Sequence, residues 1–221
     1  MCGILGGNNF NDIQEVKNGL ASIMHRGTDG NVIFHFEKSD FYISHNRLSI
    51  QDLSESANQP LISENEKFVL AFNGEMWKPF FRKFNNKLRK KYNFKTERSD
   101  SELLLYYLID NRDNILEAMK NLDGMFCFAF YDVERNQLTL GRDFIGRLPL
   151  YYAFENEKIV FSSEVKGLQS ATPNLKFFNV DRNRKAPKGE EEKIKVVEPG
   201  TIVTVSENLI GVTNCEIKRW N

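Results

Sequence analysis

Cys2, directly after Met1, is the residue whose position in the sequence has the clearest chemical consequence. If Met1 is removed, Cys2 carries a thiol and a free α-amine on the same residue. A thiol titrates near pH ~8.5 and an α-amine near ~8, so a proton passes between them at little free-energy cost. The amine then serves as the general base for the thiol nucleophile. The alternative is a small buried apolar residue, which is the commoner role of a lone cysteine.

Short motifs follow Cys2 in a defined order along the chain. They are the segments 25–30 (HRGTDG), 45–50 (HNRLSI), 59–61 (QPL), 72–75 (FNGE), 99–102 (SDSE), 141–146 (GRDFIG), 149–152 (PLYY) and 161–166 (FSSEVK). This series resembles the class II, N-terminal-nucleophile glutamine amidotransferase domain. It is most similar to the glutaminase domain of glutamine-hydrolysing asparagine synthetase. The resemblance covers residues 1 to about 169 and continues more loosely to Trp220.

The resemblance implies a catalytic set for hydrolysis of the glutamine side-chain amide. Cys2 would attack the amide carbon and form a γ-glutamyl thioester, which water then hydrolyses to glutamate. The Asn73 side-chain amide and the Gly74 backbone N–H would form the oxyanion hole, where one lost donor costs roughly 10²–10³ in rate. From local sequence alone, we expect the strand over 68–72 to end at Asn73-Gly74, because Asn-Gly is a strong turn pair.

The resemblance also implies a set of residues that bind glutamine. Arg47 would bind the α-carboxylate, for which a planar guanidinium is suited. Glu75 and Asp100 would hold the α-ammonium, and Ile50 belongs to the same glutamine-binding set. Two of these have ordinary alternatives: Arg47 in a surface salt bridge, and Asp100 as a helix-start residue in the capping box of segment 99–102. Other motif residues are predicted to be structural, with Arg–Asp pairs that brace the loops around the pocket. They are Arg26, Asp29, Arg142, Asp143 and Gly146.

The predictions about cofactors and partners rest mainly on motifs that the sequence lacks. His25, His35 and His45 do not form a metal set, and no metal-ligand spacing of cysteines is present. The sequence has no Ser-Gly-Gly-x-Asp-Ser loop, so ATP and Mg would enter only through a synthetase domain or subunit absent from this chain. That partner would accept the ammonia. Two alternatives stay open: a catalytically silent module with a structural or partner-docking role, and the glutaminase of a sugar-amine or purine-pathway enzyme.

Composition excludes several classes of partner. The 221 residues include 30 basic and 30 acidic side chains, so no global field attracts nucleic acid or an anionic membrane. Cys2, Cys127 and Cys215 are too few and too widely spaced for a disulfide framework. No signal peptide is visible, and no apolar run approaches the ~20 residues that span a bilayer. We therefore expect a cytoplasmic protein.

The predicted elements indicate one α+β domain over residues 1–221. Strands are expected at 2–7, 31–36, 41–50, 68–72, 125–131, 137–141, 150–154, 159–162, 195–197, 201–205 and 212–217, with helices at 13–24, 79–92, 103–109 and 115–122. Strands such as 126–130 are apolar on both faces and should lie between two layers. The resemblance implies a four-layer αββα sandwich of two mainly antiparallel sheets. A mobile surface loop is expected at about 176–195, where charged residues, Pro and Gly dominate.

Overall fold

The computed structural model describes residues 1–8, 10–50, 52–155, 158–173, 194–207 and 213–219. The strands are β1 Gly3–Asn8, β2 Gly30–Phe36, β3 Phe41–Arg47, β4 Leu61–Ile62, β5 Phe68–Met76, β6 Gly124–Asp132, β7 Gln137–Arg142, β8 Tyr151–Glu155, β9 Lys158–Ser162, β10 Ile194–Val196, β11 Thr201–Glu207 and β12 Thr213–Arg219. The helices are α1 Ile13–Ser22, α2 Lys78–Lys91, α3 Asp100–Asp110, α4 Ile115–Met119 and α5 Val165–Ala171. The predicted mobile loop lies outside the described residues, apart from Ile194 and Lys195 in β10.

The strands form two six-stranded sheets. Sheet one has the order β10-β8-β9-β1-β3-β2, and sheet two has the order β12-β11-β7-β6-β5-β4. Every pairing between these strands is antiparallel. The strand that follows Cys2 is therefore central in sheet one, and the strand that carries Asn73 and Gly74 is in sheet two.

The two sheets pack face to face, and helices cover their outer faces. In β5, Val69 and Ala71 belong to the core between the sheets, whereas Leu70 and Phe72 pack under α2 and α3. This alternation follows from the two-residue period of a strand. On the other side, Val16 and Leu20 of α1 and Leu168 of α5 pack on sheet one. The layers are thus helix, sheet, sheet, helix, which confirms the predicted αββα sandwich.

One local expectation was wrong, because Asn73-Gly74 does not form a turn. Strand β5 continues to Met76, and Gly74 is paired with Phe126 of β6. A long neighbouring strand supplies hydrogen bonds across this segment, and these outweigh the local turn preference of Asn-Gly. Two further elements were not predicted: the short β4, which has only two residues, and α5, whose motif gave no clear helical period.

Candidate active site

A cavity of about 130 Å³ opens where the two sheets and the start of α3 meet. Every residue that the sequence predicted for catalysis or binding lines it: Cys2, Arg47, Ile50, Asn73, Gly74, Glu75 and Asp100. Cys2 directly precedes β1 and Arg47 ends β3, both in sheet one. Sheet two contributes Asn73 to Glu75, and Asp100 is the first residue of α3. The fold therefore brings these residues to one place, while the role of each stays a prediction.

Cys2 is half-buried and its sulfur faces a backbone loop. The Leu48 N–H donates to Sγ at 3.4 Å, and Sγ lies 3.7 Å from the Leu48 carbonyl oxygen. Burial raises the pKa of this thiol, and the Leu48 N–H, the nearby amino terminus and Arg47 oppose that rise. While Met1 is attached, the nitrogen of Cys2 is an amide and cannot act as a base.

The Asn73-Gly74 pair is held at the cavity by strand geometry. Asn73 is almost completely buried, and its Nδ2 lies 3.9 Å from the sulfur of Cys127. Gly74 has φ +154°, and a Cβ there would collide with the Met125 carbonyl and lie 2.7 Å from Phe126 Cα. Only glycine fits this backbone beside β6, and Gly74 lines the cavity.

Arg47 ends β3 and is largely committed to holding a loop. Its Nη1 donates to the Ser54 carbonyl at 3.0 Å and to Asn58 Oδ1 at 2.5 Å, and its Nη2 donates to the Asp52 carbonyl. These bonds orient the guanidinium in the cavity wall. A guanidinium has five N–H donors, so donors remain for a ligand carboxylate. The surface salt bridge that was the alternative explanation for Arg47 is not formed among the described residues.

Asp100 and Glu75 are two of the three acidic residues that line the cavity, and Asp52 is the third. Asp100 accepts hydrogen bonds from the Met76 N–H at 3.0 Å and the Ser101 N–H at 2.9 Å. Burial raises the pKa of Asp100 to about 6, against these two bonds, and the charge of Glu75 adds to the rise. Glu75 is exposed, and Ile50 is 73% exposed at the rim. A cation such as an α-ammonium would relieve the repulsion between the two carboxylates.

The capping box that was the alternative explanation for Asp100 is only half formed. The Ser99 hydroxyl accepts from the Glu102 N–H at 3.3 Å, as a helix cap should. The Glu102 carboxylate, however, accepts from the Lys95 and Thr96 N–H groups, both at 2.8 Å, instead of turning back to Ser99. Glu102 thus ties the preceding loop to α3 and leaves Asp100 facing the cavity.

Arg142 and Asp143 contact backbone groups and not each other. Arg142 donates to the carbonyls of Leu148, Val197 and Gly146 at 2.7, 2.8 and 2.6 Å. Asp143 accepts from the Phe126 N–H at 3.0 Å. In the described residues no Arg–Asp pair joins them, so this part of the prediction was wrong. The loops are braced instead by charged side chains that bind peptide groups.

The sequence did not predict that Arg26 and Glu164 hold the backbone of Cys2. Arg26 Nε donates to the carbonyl oxygen of Cys2 at 3.0 Å, and its Nη1 lies 2.9 Å from Glu164 Oε1. Asp29 accepts from the Ser49 N–H at 2.7 Å, next to the residue that contacts the Cys2 sulfur. Arg26, Asp29 and Glu164 lie in motifs that the sequence analysis singled out. Nothing in the local sequence of those motifs indicated contact with Cys2.

No metal site or membrane helix is found in the described part of the chain. No group of three or more His, Cys, Asp or Glu residues there could hold a metal ion. None of the described helices is long and apolar enough to cross a bilayer.

The αββα sandwich with Cys2 at its cavity is the architecture of a class II glutamine amidotransferase domain. The chain belongs to the glutamine amidotransferase domain family, whose sequence model matches residues 1–215. It is 35% identical to a probable glutamine-hydrolysing asparagine synthetase of Dictyostelium discoideum, over 76% of this chain and 30% of that protein. It is 31% identical to asparagine synthetase [glutamine-hydrolyzing] 1 of Bacillus subtilis, over 93% of this chain and 33% of that protein.

A solved structure confirms the fold at low sequence identity. Glutamine phosphoribosylpyrophosphate amidotransferase from B. subtilis aligns with a TM-score of 0.72 at 18% identity, covering 100% of this chain and 49% of that one. The chain spans about a third of the length of the curated relatives it matches, at 30% and 33%.

Proposed function

We propose that this chain hydrolyses the side-chain amide of glutamine to glutamate and ammonia, with Cys2 as the nucleophile. The observation that carries the proposal is the common cavity of Cys2, Asn73-Gly74, Arg47 and the Glu75–Asp100 carboxylates. A guanidinium and two carboxylates complement the carboxylate and ammonium of a free amino acid. The thiol and the oxyanion donors complement an amide at the end of its side chain.

The reaction needs Cys2 at the amino terminus, so it requires removal of Met1. The α-amine of Cys2 takes the thiol proton, and Sγ forms a bond to the amide carbon. The amide oxygen becomes an oxyanion, stabilised by Asn73 Nδ2–H and the Gly74 N–H. Collapse breaks the C–N bond, and the leaving nitrogen takes the proton from the ammonium and departs as ammonia. Water then adds to the thioester, the C–S bond breaks, and glutamate and the thiol are released.

The ammonia would be consumed by a synthetase domain or subunit that binds ATP and Mg, in asparagine synthesis or a related amidation. The names of the relatives support this part of the proposal. We also expect the reaction to take place in the cytoplasm, since three widely spaced cysteines suit a reducing compartment.

The proposal is tested by intact-mass analysis with a chloroketone analogue of glutamine, together with assays of glutamate and ammonia. The purified protein should lack Met1, gain one adduct and release both products in equal amounts. Cys2→Ala should remain unlabelled and inactive, whereas Cys127→Ala should still take the label, because Cys127 is buried in the core. A folded wild-type protein that takes no label and releases no ammonia would instead be a catalytically silent module.

A further inference from the structure

Phe72 precedes Asn73 on β5, and both its backbone polar groups are bound by side chains. The Phe72 N–H donates to Gln59 Oε1 at 2.7 Å, and His45 Nε2 lies 3.2 Å from the Phe72 carbonyl oxygen. Strand β4 pairs only with Val69 and Leu70, so it ends before it reaches Phe72. These side chains therefore replace a neighbouring strand at this edge, since buried backbone groups need partners.

The contact with the carbonyl fixes the chemical state of His45. A carbonyl oxygen only accepts hydrogen bonds, so Nε2 must carry a proton, and in the neutral imidazole Nδ1 is then bare. His45 is completely buried, and Nδ1 has no hydrogen-bond partner among the described residues. Burial, together with the charge of Arg47, lowers the pKa of His45 to about 4 against the opposing hydrogen bond to the Phe72 carbonyl. The imidazole is thus neutral near pH 7, in one tautomer.

This hydrogen bond connects the two sheets beside the cavity. His45 is on β3 of sheet one, two residues before Arg47 and paired with Ile4 of the strand that follows Cys2. Phe72 is on β5 of sheet two, one residue before the oxyanion pair. The proposed nucleophile and the proposed oxyanion donors therefore belong to different sheets, and their separation depends on what joins those sheets.

We propose that His45 is a positioning residue for the oxyanion hole, acting through the Phe72 carbonyl on Asn73 and Gly74. The inference rests on the proposed function. The Phe72 carbonyl and the Asn73 N–H share one planar peptide unit, so holding the oxygen fixes the plane from which Asn73 continues. His45 does not line the cavity, and its contact with the strand of Asn73 is the hydrogen bond to the Phe72 carbonyl oxygen.

The two ring nitrogens of His45 differ in their surroundings. Nδ1 has no hydrogen-bond partner among the described residues, whereas Nε2 is the partner of the Phe72 carbonyl oxygen. The hydrogen bond to Phe72 is therefore the distinguishing contribution of His45. A displacement of about 1 Å in a catalytic group is enough to lower a rate about 10²-fold.

The experiment compares His45→Leu, which has no donor, with His45→Gln, which keeps a terminal N–H. The matched control is His35→Leu on the neighbouring strand β2, where His35 pairs with Asp40 at the surface. Three quantities are measured in the full chain: kcat and KM for glutamine, the Kd of glutamate, and the Kd of the γ-aldehyde analogue of glutamine. The Cys2 thiol adds to that aldehyde and forms a C–S bond to the carbonyl carbon. The former carbonyl oxygen then occupies the oxyanion hole.

We expect His45→Leu to lower kcat about 10²-fold and to weaken aldehyde binding by a similar factor, with KM and glutamate binding nearly unchanged. His45→Gln should recover much of the loss, and His35→Leu should behave as wild type. If the leucine variant does not fold by circular dichroism, His45→Met provides the same test with a more adaptable side chain.

The outcomes separate this inference from the proposed function. Suppose that the wild type is active and that a folded variant without the donor has the same kcat and the same aldehyde affinity. That result would overturn the role of His45 and leave the proposed glutaminase activity intact. Equal losses in glutamate and aldehyde binding would mean a general disturbance of the cavity, and would also overturn it. A wild type that neither hydrolyses glutamine nor binds the aldehyde would overturn both.

Discussion

Arg26 donates a hydrogen bond from Nε to the carbonyl oxygen of Cys2 at 3.0 Å, and Glu164 holds the same guanidinium at 2.9 Å. Glu164 also contacts His25 at 2.9 Å and Lys166 at 3.3 Å. Burial by itself would raise the pKa of Glu164, but the hydrogen bonds from Arg26, His25 and Lys166 lower it overall. The backbone of the nucleophile is therefore held by two segments that are far apart in the sequence.

Arg26→Lys should lower kcat for glutamine about 10-fold or more and leave KM nearly unchanged. Lysine keeps the charge, but it cannot bond to the Cys2 carbonyl and Glu164 with the fixed fork of a guanidinium. Steady-state kinetics would measure the effect. The matched control is Arg89→Lys, where Arg89 binds the Thr96 and Glu97 carbonyls away from the cavity. Equal kinetics for the two variants would contradict the contact's importance.

Gly74→Ala should abolish most glutaminase activity and lower the melting temperature. The added Cβ collides with the Met125 carbonyl, and φ of +154° is unfavourable for alanine. The strand must shift, and the oxyanion donors move with it. Gly30→Ala is the control, since a Cβ there meets nothing within 4 Å. Thermal unfolding and kcat should both distinguish the two alanine variants; normal turnover in Gly74→Ala would argue against the oxyanion assignment.

Arg47→Lys should raise KM for glutamine about 10–100-fold with a smaller effect on kcat. A hydrogen bond to a charged group contributes about 1.5–3 kcal/mol, and lysine cannot form the bidentate contact. The decarboxylated analogue 4-aminobutanamide separates this role from others. Its kcat/KM should be similar in wild type and variant, because it has no carboxylate for Arg47 to bind. A loss of equal size for both amides would contradict the assignment.

The activity of the wild type should fall as the pH drops below about 6. An α-ammonium binds ionised Asp100, whose pKa is raised to about 6 by burial. The kcat/KM profile reports groups of the free enzyme, so it should lose about a factor of ten per pH unit on the acid side. Asp100→Asn should have low kcat/KM and no such limb. Persistence of the limb in that variant would assign it to another group.

The raised pKa of Asp100 also makes the stability of the folded protein depend on pH. An acid whose pKa is higher in the folded protein keeps its proton there while the unfolded chain has released it. Asp100 therefore favours the folded state less as pH rises from about 4 through about 6. The rise from 3.8 to about 6 corresponds to roughly 3 kcal/mol. Urea unfolding should show the free energy of unfolding of wild type falling relative to Asp100→Asn across this range, and a constant difference would contradict it.

The candidate site residues of the cavity could be predicted from the sequence, because Cys2 follows Met1 and the others belong to short motifs whose order matches the family. Most helices and strands could be predicted too, since apolar periodicity is a local property. The prediction of a turn at Asn73-Gly74 was wrong because it, too, used only local sequence. The local turn preference is outweighed by pairing with β6, which lies about fifty residues later.

By itself, the sequence determined the family, the α+β architecture and the chemical types of the candidate site residues. Only the tertiary structure decided that Arg26 and Glu164 hold the backbone of Cys2, that His45 reaches the strand of Asn73, and that Arg142 binds carbonyls instead of Asp143. Contacts such as Arg26 with Glu164 depend on how whole sheets and helices pack. Residue types and near-neighbour spacing carry no information about which distant groups that packing brings within hydrogen-bond distance.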